Sequence, residues 1–116
     1  MTAQSTHNSE LAAQHCKPHP AGTPPLSADK ISLLLQQLDG WILHDKVISK
    51  TVMFTNFHQA MSFVNAVAWV SNLEDHHPDL GISYNKCVVE YSTHSAGGLT
   101  ENDFICAAKV DALLSV

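Results

Sequence analysis

Cysteine is scarce and badly spaced for a scaffold: Cys16, Cys87 and Cys106 make an odd number with no CxxC pair. Neither a disulfide framework nor a zinc knuckle is implied. Basic residues are also few, six against eleven acidic, for a net charge of −5. That argues against a nucleic-acid surface, which carries a basic face. No apolar run approaches the eighteen or so residues of a membrane helix. The first residues, MTAQSTHNSE, lack the basic end and apolar stretch of a secretory signal. No repeat of solenoid length is visible. These absences describe a soluble, reduced protein expected in the cytoplasm. With 116 residues, 45% of them hydrophobic, the chain is expected to form a single domain with its own core. The residue in excess is histidine, eight in all with one adjacent pair.

Residues 1–25 are rich in Ser, Thr, Gln, His and Pro, and their apolar residues keep no sustained period. They are expected to form a flexible tail, dispensable for folding and turnover, with the domain running over 26–116. Ser27 is suited to cap a helix to about Leu38, whose Ile31, Leu34, Leu35 and Leu38 make one apolar stripe. Gly40 ends it. Trp41–Leu43 and Val47–Phe54 read as strands around His44-Asp45-Lys46. Asn56 can cap a second helix from Phe57 to about Leu73, before Pro78 forbids continuation. Leu80–Tyr84 and Cys87–Thr93 read as a hairpin about Asn85-Lys86, and Thr100, with Asp103 three residues on, opens a last helix to about Leu114. The order α-β-β-α-β-β-α predicts an α+β fold, a four-stranded antiparallel sheet with helices packed on one face.

The second hairpin bears on the histidines. With Asn85-Lys86 as the loop, Ile82 faces Val89 and Leu80 faces Tyr91, which separates an apolar face from a polar one. Continuing the count brings His77 opposite His94, so His76, His77 and His94 are expected to converge at one end of the hairpin. His44 and His58, single residues in a turn and on a helix, read as ordinary surface histidines. A zinc site needs three or four ligands, and adjacent histidines seldom both reach one ion. Acid–base chemistry requires no metal: imidazole gives and takes protons near neutral pH. His76 follows a helix C-terminus, whose negative end suits a proton donor. Asp103 has a competing duty as a helix cap.

The stretch LEDHHPDLGISYNKCVVEYSTHSAGGLTENDFICAA, Leu73 to Ala108, resembles the pterin-4a-carbinolamine dehydratases. The resemblance rests on His76-His77-Pro78, Tyr84-Asn85-Lys86, Ser92-Thr93-His94, Gly98-Leu99-Thr100 and Asp103, in that order and at matching spacing. It implies dehydration of 4a-hydroxytetrahydropterin to quinonoid dihydropterin, recycling the cofactor of aromatic amino acid hydroxylases. It implies a homodimer or homotetramer, a pterin substrate, no cofactor and no metal. By motif, His76 would be the general acid, His77 would orient the pterin, and His94 would serve as acid or base for the other epimer. Pro78, Ser92, Thr93, Asp103 and Glu74 would join His77 in binding substrate. Asn72 stands where relatives often have Glu, leaving Glu74 or Asp75 as the replacement carboxylate, and Asn102 stands where some have a basic residue. Some relatives act instead as dimerisation partners of a transcription factor, so a non-catalytic interaction module is the alternative.

Overall fold

The computed structural model describes residues 10–115. Three long helices, α1 (Ala28–Leu35), α2 (Phe57–Glu74) and α3 (Glu101–Leu114), pack on one face of a four-stranded antiparallel sheet. Its strands are β1 (Ile42–His44), β2 (Val47–Met53), β3 (Asp79–Ser83) and β4 (Lys86–Tyr91), in the spatial order β1-β2-β4-β3. The expected α+β class and element order are therefore those observed. The caps follow side-chain chemistry: the Ser27 side chain accepts from Lys30 N–H, and Asn56 accepts from Gln59 N–H. Central β4 alternates strictly, burying Cys87, Val89 and Tyr91. With Ile48 of β2 these meet Val64 and Val67 of α2 and Phe104, Ala107 and Val110 of α3. Trp41 closes one end of this core, and its Nε1 donates to Asp111 Oδ1 at 2.9 Å, which Lys50 Nζ also reaches at 2.8 Å. Gly40, at φ 80°, makes the left-handed turn that feeds Trp41 inward.

Two expectations are corrected. The hairpin turns on Tyr84-Asn85, not Asn85-Lys86, so Ser83 pairs with Lys86, Ile82 with Cys87 and Leu80 with Val89. The shift is by two residues, which preserves both faces and escapes the polar/apolar test. It keeps Lys86 in the ladder opposite Met53 of β2 and frees Asn85 O to accept from Phe54 N–H at 2.7 Å. In this register His77 falls level with Ser92, and His94 is not its partner. Thr93 instead bridges to Gly98, and His94 opens a 3₁₀ turn, His94–Ala96.

The second correction concerns the segment before Leu26; its residues 1–9 lie outside the described part. Leu11 is 4% exposed and belongs to the core. Lys109 Nζ donates to Ala12 O at 2.6 Å, Cys16 N–H to Glu74 Oε1 at 2.7 Å, and Lys17 N–H to Asn102 Oδ1 at 3.0 Å. Asn102 Nδ2 returns a bond to Lys17 O at 2.7 Å, and Leu26 N–H donates to Leu99 O at 2.8 Å. One buried leucine, a few backbone groups and the side chains of His15 and Cys16 hold this strap, so it shows no apolar period in sequence. A chain starting at Leu26 is expected to lose about 1.5–3 kcal/mol from Leu11 alone, lowering the thermal midpoint by on the order of 10 °C. An unchanged midpoint would show that the strap adds nothing to the fold.

Candidate active site

The C-terminus of α2 sets up the site. The helix stops at Asp75, which takes the left-handed conformation (φ 51°), and His76 N–H still reaches back to Ser71 O at 3.2 Å. The chain then leaves for β3 with His76 turned toward α3. There His76 Nε2 lies 2.6 Å from Asp103 Oδ1; the side chains are 13% and 0% exposed. Asp103 Oδ2 accepts from the Thr93 hydroxyl at 2.7 Å and from Thr100 N–H at 2.9 Å. Thr93 Oγ1 is also bonded to Thr100 Oγ1 at 2.9 Å. Asp103 therefore both caps α3 and holds His76; the two duties use different oxygens. An ionised Asp103 only accepts, which puts a proton on His76 Nε2 and leaves Nδ1 as the ring atom with no hydrogen-bond partner among the described residues. Behind the imidazole lies the Tyr91 ring, 5.8 Å away and 9° from parallel. Burial, with the nearby Cys106, Cys16 and Asp103, pushes the Tyr91 phenol well up, so it stays neutral.

His76 lines a cavity of about 340 Å³ with Cys16, His19, Glu74, Thr93 and Asn102. The strap thus forms one wall, contributing Cys16, Lys17, Pro18 and His19. Sequence reading missed this wall, because residues 1–25 were expected to form a flexible tail. Burial alone would raise the Glu74 carboxyl, but Cys16 N–H, His15 and Lys109 outweigh it and hold the group below the usual carboxylate range. Glu74 therefore stabilises the fold in full above the unfolded carboxylate range, and this is lost as pH falls through its lower folded value. Urea midpoints of wild type and Glu74→Gln should differ at neutral pH and converge in acid. A constant gap would deny the charge any role.

The other two histidines of the motif make different contacts from His76. His77 is exposed, with Nε2 3.1 Å from Asn72 Oδ1, so Asn72 holds His77. His94, also exposed, lines a neighbouring pocket of about 210 Å³ with Lys46, Ser92 and Thr93. The three histidines do not line one cavity: Thr93 borders two, with His76 on one and His94 on the other. Among the described residues no group of three or more His, Cys, Asp or Glu is placed to hold a metal ion. Nor, among them, is any helix long and apolar enough to cross a membrane.

Residues 24–113 match the family model described as pterin 4 alpha carbinolamine dehydratase. The chain belongs to this family. The pterin carbinolamine dehydratase of Nitrosospira multiformis, as that protein is named, is 56% identical over 107 residues, covering 92% of this chain and 95% of its own. The like-named protein of Nitrosomonas eutropha is 58% identical over 110 residues, covering 94% and 97%. Among known structures, a transcriptional coactivator/pterin dehydratase from Brucella melitensis superimposes with a TM-score of 0.74 at 33% identity, covering 77% of this chain and 97% of that one. As a pterin carbinolamine dehydratase the chain is a hydro-lyase.

Proposed function

We propose that this pterin carbinolamine dehydratase converts 4a-hydroxytetrahydropterin to quinonoid dihydropterin and water, recycling the tetrahydropterin used by aromatic amino acid hydroxylases. The observation that carries the reading is a histidine at a cavity, fixed from behind by a buried carboxylate. His76 gives a proton to the 4a-hydroxyl, the C4a–O bond breaks as the N5 electron pair moves in, and the N5 proton leaves to a base. Asp103 grips one ring nitrogen and leaves the other for this exchange. His77, braced by Asn72, orients the pterin next to Pro78. Thr93 and Ser92 border the site, and exposed Asp75 supplies the carboxylate missing at Asn72, since both oxygens of Glu74 are already engaged by Cys16, His15 and Lys109. The subunits associate as dimers or tetramers, with Trp69 and Leu73, each more than half exposed, as apolar surface. A catalytic amount of purified protein should speed the decay of 4a-hydroxytetrahydropterin well above its spontaneous rate. Decay at the spontaneous rate would favour the interaction-module reading, to which the coactivator part of the Brucella protein's name corresponds.

His94 serves the second epimer from the adjoining pocket. His94→Gln keeps a polar group but removes titration near neutral pH. Because the residue is exposed, stability should hardly change. Turnover of one epimer should fall by about tenfold, below the usual range for a sole acid or base, while the other is spared. Equal, wild-type rates on both epimers over roughly pH 5.5–8.5 would make His94 a bystander.

A further inference from the structure

Cys16 on the strap and Cys106 in the middle of α3 take no part in the chemistry above, yet their sulfurs lie 3.4 Å apart across 90 residues of sequence. Both backbones are held in place. Cys16 N–H is bonded to Glu74, and the next residue, Lys17, is clasped in both directions by Asn102, one helical turn before Cys106. The pair is thus a standing neighbour contact. A disulfide needs about 2.05 Å between sulfurs, so closing it takes a side-chain adjustment of little more than 1 Å. Cys16 is half-buried and borders the cavity, whereas Cys106 is fully buried. Cys87, the third thiol, is buried in β4 and paired in the ladder with Ile82 and Val52.

We propose that Cys16 and Cys106 form an oxidative modification site: a peroxide closes them into an intramolecular disulfide that bolts the strap onto α3 and makes the cavity wall permanent. The oxidant reaches Cys16 first, from the cavity side. The Cys16 thiol gives up its proton, its thiolate attacks one peroxide oxygen, the O–O bond breaks, and Cys16 becomes a sulfenic acid as the second oxygen leaves as hydroxide and takes up that proton to give water. The Cys106 sulfur then attacks the Cys16 sulfur, the S–O bond breaks, and the departing hydroxide takes the Cys106 proton to give a second water. Two thiols are oxidised by two electrons and one peroxide is reduced to two waters. Cys106 is fully buried, and its hydrogen bond to Cys16, and then burial, push its thiol up, so Cys106 is the resolving partner.

The test treats the full-length reduced protein with a small excess of hydrogen peroxide, alkylates it in denaturant and maps the cysteines by mass spectrometry. The expected product is a monomer two hydrogens lighter, with Cys16 and Cys106 peptides cross-linked, Cys87 alkylated, and full reversal by dithiothreitol. In Cys106→Ala, oxidation should stop at a Cys16 sulfenic acid that dimedone traps. Amide exchange at Cys16 and Lys17 should slow at least tenfold in the oxidised wild type. Disulfides between chains, a cross-link through Cys87, or over-oxidation of Cys16 beside an alkylatable Cys106 would overturn the site. Unchanged exchange in the cross-linked protein would overturn the bolt.

Discussion

Replacing His76 with glutamine should lower turnover of the carbinolamine by about 10²–10⁴-fold, the usual worth of a general acid, while the protein stays folded. The side chain is 13% exposed and stacks on Tyr91, so glutamine loses a ring–ring contact and one charge-assisted bond. The structural cost is about 1.5–3 kcal/mol, tolerable for a domain stable by 5–15 kcal/mol. Glutamine cannot gain or lose a proton near neutral pH, so nothing restores the leaving-group proton. KM should change much less than kcat, because the amide still fills the cavity wall. Thermal midpoint and steady-state rates, measured together, separate chemistry from folding. A folded variant at wild-type kcat would remove His76 from the reaction.

The second large effect is expected at Asp103, a positioning residue in this account. Asp103→Asn keeps the shape but turns one acceptor into a donor. Thr100 N–H can only donate, so the amide oxygen must stay on that side and the amide NH₂ must face His76 Nε2. The imidazole then has to accept at Nε2 and carry its proton on the other nitrogen. That reverses the tautomer and removes the anion that steadies the ring when it is charged. Turnover should fall by about 10²-fold or more, and the loss of a fully buried, triply bonded carboxylate should cost on the order of 3 kcal/mol. With a domain of this size the thermal midpoint drops by at least roughly 10 °C. Should kcat survive while the midpoint falls, Asp103 would be a helix cap and nothing more.

Reading these residues from the sequence succeeded where chemistry is local. Ser27 and Asn56 sit as helix caps because short polar side chains meet free N–H groups at a helix start, and at Thr100 the Asp103 carboxylate takes the free N–H. The alternation of β4 was legible for the same reason: one face must be buried. The hairpin register was not, because a slip by two residues leaves every face unchanged and only the competing bond from Phe54 to Asn85 decides it. Extrapolating that register carried the error to His94. The strap escaped notice because Leu11 is its single buried anchor and its other ties, backbone groups meeting Glu74 and Asn102 and the side chains of His15 and Cys16, leave no pattern in one segment alone. Asp103 looked like either a cap or a site residue; its two oxygens make it both.

The rate of 4a-hydroxytetrahydropterin loss, compared at equal concentrations for wild type, His76→Gln, Asp103→Asn and the double variant, bears on all of this at once. The account expects clear acceleration by wild type, severe loss in either single variant, and a double variant scarcely slower than His76→Gln alone, because Asp103 acts through the histidine. No acceleration by wild type, or single losses that multiply in the double variant, would contradict it.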